Sequence, residues 1–196
     1  MGLLRACADA VLVGSGTMLA SPRGSWRPET VYPPAAEAFA ELRRRLGSTE
    51  RPTVAFVTGG GSFDAGHPML EQGAIVLTTE RASAALRAAV PTAAEVVAVN
   101  DGDRVDLGLA LQRLRERGHR RILSEAGPRL FGSLVAARLA DELFLTVSPL
   151  LAGRAGGARL PLVDGVELLP SIRREARILS VRRHDEHLFL RYDLRG

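Results

Sequence analysis

The chain has 196 residues, 46% of them hydrophobic and 24% charged, a net charge of +4 and one cysteine, Cys7. These values fit one soluble domain with a sizeable core and exclude an internal disulfide. No apolar run approaches the roughly 18 residues of a membrane-spanning helix. No basic-then-apolar leader opens the chain, so no signal peptide is expected and a cytoplasmic location is. All 26 basic residues are Arg, scattered among acids, and aromatics make up only 5%. Neither a nucleic-acid surface nor a membrane partner is expected from that pattern. The Arg excess reads either as a compositional bias or as phosphate-gripping capacity.

In chain order, Leu3 to Ala8 reads as the last turns of a helix and Ala10 to Val13 as a short strand. The turn Gly14-Ser15-Gly16-Thr17 follows, then a polar loop from Ser21 to Tyr32. Phe39, Leu42 and Leu46 mark a helix over Ala35 to Leu46, closed by Gly47. Thr53 to Thr58 is a strand running into Gly59-Gly60-Gly61-Ser62, and Ala74 to Thr78 is another. A helix over Ser83 to Val90 stops at Pro91. Glu95 to Val99 is a strand, and Leu107, Leu111 and Leu114 mark a helix ending near Gly118.

The stretch from Arg121 to Gly153 then reads strand, glycine turn, helix, strand. Gly127 suits a backbone that a side chain would forbid, and Pro128 suits a first helical position. Leu130, Phe131, Leu134 and Val135 repeat at helical spacing. Free N–H groups at such a helix start can seat a phosphate. Glu125, just before the turn, is placed to reach a ligand edge. Glu142 to Val147 is the next strand, Gly153 to Gly165 a glycine-containing loop, and Ala176 to Arg183 and His187 to Tyr192 a terminal hairpin. Strands alternating with helices predict an α/β domain, residues 1–196, with a mostly parallel central sheet flanked by helices and a C-terminal antiparallel hairpin. Ligands of such sheets sit beyond the carboxyl ends of the strands.

Several pieces in the right order resemble the C-terminal reductase domain of the riboflavin-biosynthesis protein RibD. They are Glu125-Ala126-Gly127-Pro128, Leu139-Ala140-Asp141-Glu142-Leu143, Ser148-Pro149-Leu150-Leu151-Ala152-Gly153, and Leu4-Arg5-Ala6 with Ala8-Asp9-Ala10-Val11-Leu12-Val13. The likeness runs from Leu4 to Tyr192. It implies a dihydrofolate-reductase-like fold, usually a homodimer, that uses NADPH. The family reduces 5-amino-6-(5-phosphoribosylamino)uracil, passing hydride to C1′ of the ring-opened ribose. By this likeness Glu125 holds and orients the pyrimidine, with Arg5 and Arg27 on the substrate. Gly14, Thr17 and Ser21 fall on the nicotinamide side, although the family usually has Asp where Ser21 stands. Thr58, Gly59, Gly60 and Thr78 border the adenosine part, and Ala126, Gly127, Pro128, Arg129, Leu130 and Phe131 seat the diphosphate.

Each position keeps a plainer reading beside this one. The glycine turns are ordinary turns, Arg27 a solvated loop residue, Glu125 a rim charge and Thr78 a β-branched strand residue. The glycines after Thr58 cannot grip a 2′-phosphate, which bears on NADPH against NADH. His184 and His187 lack a third ligand, so no metal is expected. The family domain opens with a strand ending in Ser-x-Asp-Gly, whereas this sequence starts in the helix after it. The native polypeptide is therefore expected to extend upstream, with the first family strand missing here. Two other functions stay open: a reductase of another pterin or pyrimidine, and a catalytically weak nucleotide-binding protein.

Overall fold

A strand with both faces covered needs unbroken apolar residues, and Ala10–Val13, Thr53–Val57 and Ile75–Leu77 supply them. In the computed structural model, which describes residues 1–151, 161–170, 172 and 175–195, these runs become the middle of a five-stranded sheet. Its strands are β1 (Ala10–Gly14), β2 (Thr53–Val57), β3 (Ile75–Thr79), β4 (Glu95–Asn100) and β5 (Ile122–Ser124). Their order is β4-β3-β2-β1-β5, and every neighbouring pair is parallel. The helices of this part are α1 (Gly2–Cys7), α2 (Ser15–Ala20), α3 (Ala36–Arg45), α4 (Glu80–Ala89) and α5 (Leu107–Glu116). Val11, Val13, Met18, Trp26, Val54, Phe56, Leu70 and Val76 form its core.

Met1–Gly127 and Pro128–Gly196 are two compact units. The second holds α6 (Pro128–Ala136), β6 (Glu142–Val147), β7 (Arg177–His184) and β8 (His187–Asp193). These strands form an antiparallel sheet in the order β6-β8-β7. Strands β7 and β8 are the expected hairpin, closed by Asp185-Glu186, with Asp185 at φ 48. The α/β class, the parallel sheet and the hairpin therefore stand as expected. One refinement concerns β6, which pairs with β8 and not with the parallel sheet.

Two local expectations change. The sequence reads Gly14-Ser15-Gly16-Thr17 as a turn, and glycine disfavours helix. Instead α2 starts at Ser15, directly after β1, and Met18 fixes it by complete burial. Helix α4 begins at Glu80, three residues before the expected Ser83, with extended Thr79 as its N-cap and Glu80 in its first turn. Residues 153–160 of the expected glycine loop lie outside the described residues.

Helix α1 is pinned in two ways. Gly2 lies so close to the Phe39 ring of α3 that a Cβ would sit 2.9 Å from it. From α3, the buried Arg43 donates Nη1 hydrogen bonds to the carbonyls of Arg5, Ala6 and Ala8 at the end of α1. The Arg5 carbonyl also accepts the Ala8 N–H at 3.2 Å, and the guanidinium adds to that backbone cap. Burial lowers the pKa of Arg43, and the nearby Asp9 carboxylate opposes that shift. Its Nη2 has no hydrogen-bond partner.

Candidate active site

The chain winds outward from β1 through β2 and β3 to β4, then returns to the other side of β1 as β5. Strand order thus reverses between β1 and β5, and the carboxyl ends of those two strands flank the crevice where such sheets bind ligands. Gly14 ends β1 and Ser124 ends β5. The first residue beyond β5 is Glu125, whose N–H donates to the Leu12 carbonyl at 3.0 Å. That bond prolongs the β1–β5 ladder by one residue and fixes where the glutamate side chain starts.

Two glycines shape the crevice. A Cβ on Gly127 would lie 3.3 Å from Thr17 Oγ1, so the turn after β5 and the first turn of α2 are already in close approach. A Cβ on Gly16 would meet nothing within 4 Å, so its backbone is open to a ligand. Glycine leaves main-chain N–H groups accessible at both places. The Ser124 hydroxyl next to Glu125 is buried and has no hydrogen-bond partner.

Glu125 is not free at this edge. Arg5 Nε donates to its Oε1 at 2.6 Å and Arg5 Nη2 to its Oε2 at 2.7 Å. Both side chains are only 13% exposed. This parallel two-bond pairing is the strongest form of arginine–carboxylate contact. Arg5 Nη1 reaches the carbonyls of Ser25 and Arg27 at 3.3 and 3.2 Å and Thr30 Oγ1 at 3.4 Å. Of the expected substrate residues, Arg5 and Glu125 therefore meet each other. Arg27 contributes its carbonyl here, while its side chain hydrogen-bonds Gln72.

The expected adenosine residues lie in another corner of the same unit. Thr58 follows β2, is 2% exposed, and accepts the Gly60 N–H at 3.3 Å through Oγ1. Gly60 has φ +91, and a Cβ there would lie 2.7 Å from Ala82 Cβ in α4. A Cβ on Gly59 would sit 3.4 Å from the Asp103 carbonyl. Thr78 is fully buried inside β3, and its hydroxyl has no partner. Ser21 closes α2; its carbonyl accepts from Gly24 N–H and His67 Nε2. In the second unit, Pro128, Arg129, Leu130 and Phe131 form the first turn of α6. There the Pro128 carbonyl accepts the Asp164 N–H, and the exposed Arg129 pairs with the Asp164 carboxylate at 3.2 Å.

Sequence reasoning missed what holds the 21–32 loop. Trp26 is 4% exposed and sits edge-on to Phe56 with ring centroids 5.6 Å apart. His67 is completely buried beside both rings. Its Nδ1 accepts the Met69 N–H, which leaves Nε2 to donate to the Ser21 carbonyl. Thr30 Oγ1 donates to the carbonyls of Ser25 and Arg27 at 2.9 and 2.8 Å. A lone tryptophan in an otherwise polar loop was the available signal, because so large an apolar side chain is seldom left in water. Nothing in the sequence flagged His67. Among the described residues no group of three His, Cys, Asp or Glu is placed to hold a metal ion. No helix among them is long and apolar enough to cross a membrane.

Known proteins resemble this chain in sequence and fold. The family model described as the RibD C-terminal domain matches residues 1–188. The 2,5-diamino-6-ribosylamino-4(3H)-pyrimidinone 5′-phosphate reductase of Archaeoglobus fulgidus is 32% identical over 176 residues, covering 88% of this chain and 75% of that protein. A pyrimidine reductase-like protein from Corynebacterium diphtheriae has a similar fold, with TM-score 0.75 at 20% identity over 98% of this chain and 78% of that one. RibD of Acinetobacter baumannii gives a TM-score of 0.72 at 19% identity, and this chain spans 48% of it. The likeness seen in the sequence is thus borne out, together with the reductase class it implied: the chain belongs to the RibD C-terminal domain family.

Proposed function

We propose that the protein is an NADPH-dependent reductase acting on a ribosylamino-pyrimidine 5′-phosphate of the riboflavin route, 5-amino-6-(5-phosphoribosylamino)uracil or its diamino precursor. The observation that carries this reading is the β1–β5 crevice, where Arg5 holds the Glu125 carboxylate just beyond β5 and the Gly127 turn closely approaches Thr17 in the first turn of α2. The fit to a dinucleotide rests on two glycines. Gly16 is open, and Gly127 is close enough to Thr17 that a side chain would crowd the cradle. Gly14, Thr17, Ala126 and Gly127 would hold the cofactor, and NADPH supplies the hydride when bound. Glu125 offers a carboxylate to ring N–H groups and orients the substrate. Such chemistry depends on positioning more than on proton transfer by the protein. The assignments of Ser21, Thr58, Gly59, Gly60 and Thr78 to the adenosine side, and of Pro128 to Phe131 to the diphosphate, follow the family likeness alone.

The likeness also supports a cytoplasmic homodimer, and apolar side chains such as Ile178 (57% exposed) and Val181 (56% exposed) on β7 are available to a second copy. The experiment is a coupled assay of NADPH oxidation with the phosphoribosylamino-pyrimidine, beside calorimetric titration of NADPH and NADH. Turnover is expected with NADPH, and Glu125→Gln is expected to lower kcat/KM about 10²-fold or more. Binding of NADPH without turnover of any pyrimidine or pterin would replace this reading with a nucleotide-binding role. Turnover of a pterin in preference to the pyrimidine would change the substrate. Light scattering gives the oligomeric state.

A further inference from the structure

His67 is a titratable side chain that the proposed reaction does not use. It has no exposure, and its ring centroid lies 5.7 Å from that of Trp26 and 5.5 Å from that of Phe56. Both ring nitrogens are committed. A backbone N–H can only donate, so Nδ1 accepts the Met69 N–H at 3.2 Å with a lone pair, and Nε2 carries the proton that the Ser21 carbonyl receives at 3.1 Å. Only the neutral ring fits these partners. A second proton would sit on Nδ1 and point at the Met69 N–H, setting two donors against each other. Among the described residues no carboxylate pairs with the ring to offset that charge. Strand β2 and helix α2 carry no ionisable side chain. Beside His67, Asp64 Oδ1 accepts the Gly66 N–H at 3.0 Å and Glu71 is exposed. On the loop, Arg23 is exposed, Arg27 donates to Gln72, and Glu29 lies within electrostatic reach of Arg43.

The ring holds the root of the 21–32 segment. Ser21 is the C-cap of α2, the helix whose first turn meets the Gly127 turn. Further along the same segment, Ser25 and Arg27 offer their carbonyls to Arg5 Nη1. We propose that His67 is a proton-sensitive latch on this segment. The neutral ring keeps the segment shut on the core. A proton taken from water onto Nδ1 ends the Met69 bond and puts an unpaired charge in an apolar seat, so the ring leaves that seat and Ser21 is released. The latched form binds one proton fewer than the released form. The latch is therefore complete above the pH range in which imidazoles titrate and is lost as pH falls through it. Release loosens the end of α2 and the carbonyls around Arg5 together. The effect on turnover rests on the reductase reading above; the latch itself rests only on the packing around the ring.

Three measurements on the full chain test this. Nitrogen NMR of the His67 ring reads the tautomer: at about pH 8 the proton is expected on Nε2, with Nδ1 bare. Hydrogen exchange, corrected for the intrinsic pH dependence of amides, reads the segment. The N–H groups of Gly24 and Val31, which bond the Ser21 and Pro28 carbonyls, should lose protection about 10-fold between about pH 8 and about pH 5.5, while the amides of β1 to β3 keep theirs. That range stays above the carboxylate values of about 4, so acid unfolding does not intrude. Turnover reads the site: KM for the ribosylamino-pyrimidine, divided by that of His67→Gln at the same pH, should rise about 10-fold over the same range. Glutamine keeps a donor for Ser21 and has no proton to gain, so protection in His67→Gln should not vary with pH. The other histidines are common to both proteins. His67→Phe fills the seat without either bond and should leave the segment released at every pH. If both variants fail to fold, the tautomer and the exchange of wild type decide alone. A proton on Nδ1 at about pH 8, protection that ignores pH, or an acid loss that persists in His67→Gln would overturn the latch. A flat KM ratio beside falling protection would overturn its link to the site. Absent turnover with the expected tautomer and exchange would remove the reductase reading and leave the latch standing.

Discussion

The two sheets obey opposite rules. Every residue of β3 is buried, as are Ala10 to Val13 of β1. In β7 seven of the eight residues are exposed, and β8 has only Asp193 buried. Parallel strands need cover on both faces, so their sequences are apolar throughout; antiparallel strands tolerate one or two wet faces. The difference shows where the protein invests its packing. The parallel sheet carries the buried core, and the crevice at its switch point opens beside that core. The same contrast separates two shielded carboxylates. Asp9 accepts from the N–H groups of Arg120 and Arg121 at 3.0 and 2.8 Å, from Arg121 Nη2 at 2.8 Å and from Ser48 Oγ at 3.0 Å, joining the starts of β1 and β5. Asp193 relies on Arg177 and Arg195, whose side chains are 74% and 62% exposed.

The comparison breaks most readily in the core. Phe56→Ala, at a position with no exposure, should cost about 3–5 kcal/mol in urea unfolding. Phe189→Ala, at 42% exposure on β8, should cost under about 1 kcal/mol. Equal losses would mean that the second sheet is as well packed as the first.

A smaller effect is expected at Gly60, where φ +91 and the Ala82 methyl both oppose a side chain. Gly60→Ala should cost about 1–3 kcal/mol and weaken NADPH more than the pyrimidine, if this corner borders the adenosine.

Asp9→Asn should cost about 1–3 kcal/mol at neutral pH, since one of its new amide hydrogens faces backbone donors. The pH dependence has a definite sign. Burial pushes the Asp9 carboxyl up, but the hydrogen bonds from Arg121 and Ser48 outweigh it and hold the group well below the usual carboxylate range. A depressed folded value stabilises the fold at every pH above the unfolded carboxyl value of about 3.9 and loses that stabilisation as pH falls below it. Wild type and Asp9→Asn should therefore differ by a constant amount near neutrality and converge in acid. A gap that widens on acidification would contradict the arrangement. The corresponding change at Asp193 should be milder, because its partners lie in solvent.

Much of this architecture was legible in advance. The apolar runs of β1 to β4 and the glycine-proline turn after β5 carry their own structural instructions, so strands, crossovers and the place of Glu125 could be read from local pattern. Helix α2 could not, because two of its neighbourhood's four residues, Gly14 and Gly16, are poor helix formers and only the burial of Met18 overrides them. The Arg5–Glu125 pair was also hidden. Both residues were noticed separately as ligand contacts, but they lie 120 positions apart, and no local pattern says that they meet. The cap that Arg43 gives α1 is illegible for the same reason. On the helix surface it looks like one more arginine in the run Arg43-Arg44-Arg45.

The seat of Trp26 has a practical consequence. The chain contains one tryptophan, so its ultraviolet-excited emission arises from a single indole, wedged between Phe56 and His67 at the base of the segment whose carbonyls hold Arg5. Any shift of that segment, on ligand entry or on release, changes the colour and brightness of that emission without an attached dye. The molecule thus carries its own optical gauge of how its arginine is seated.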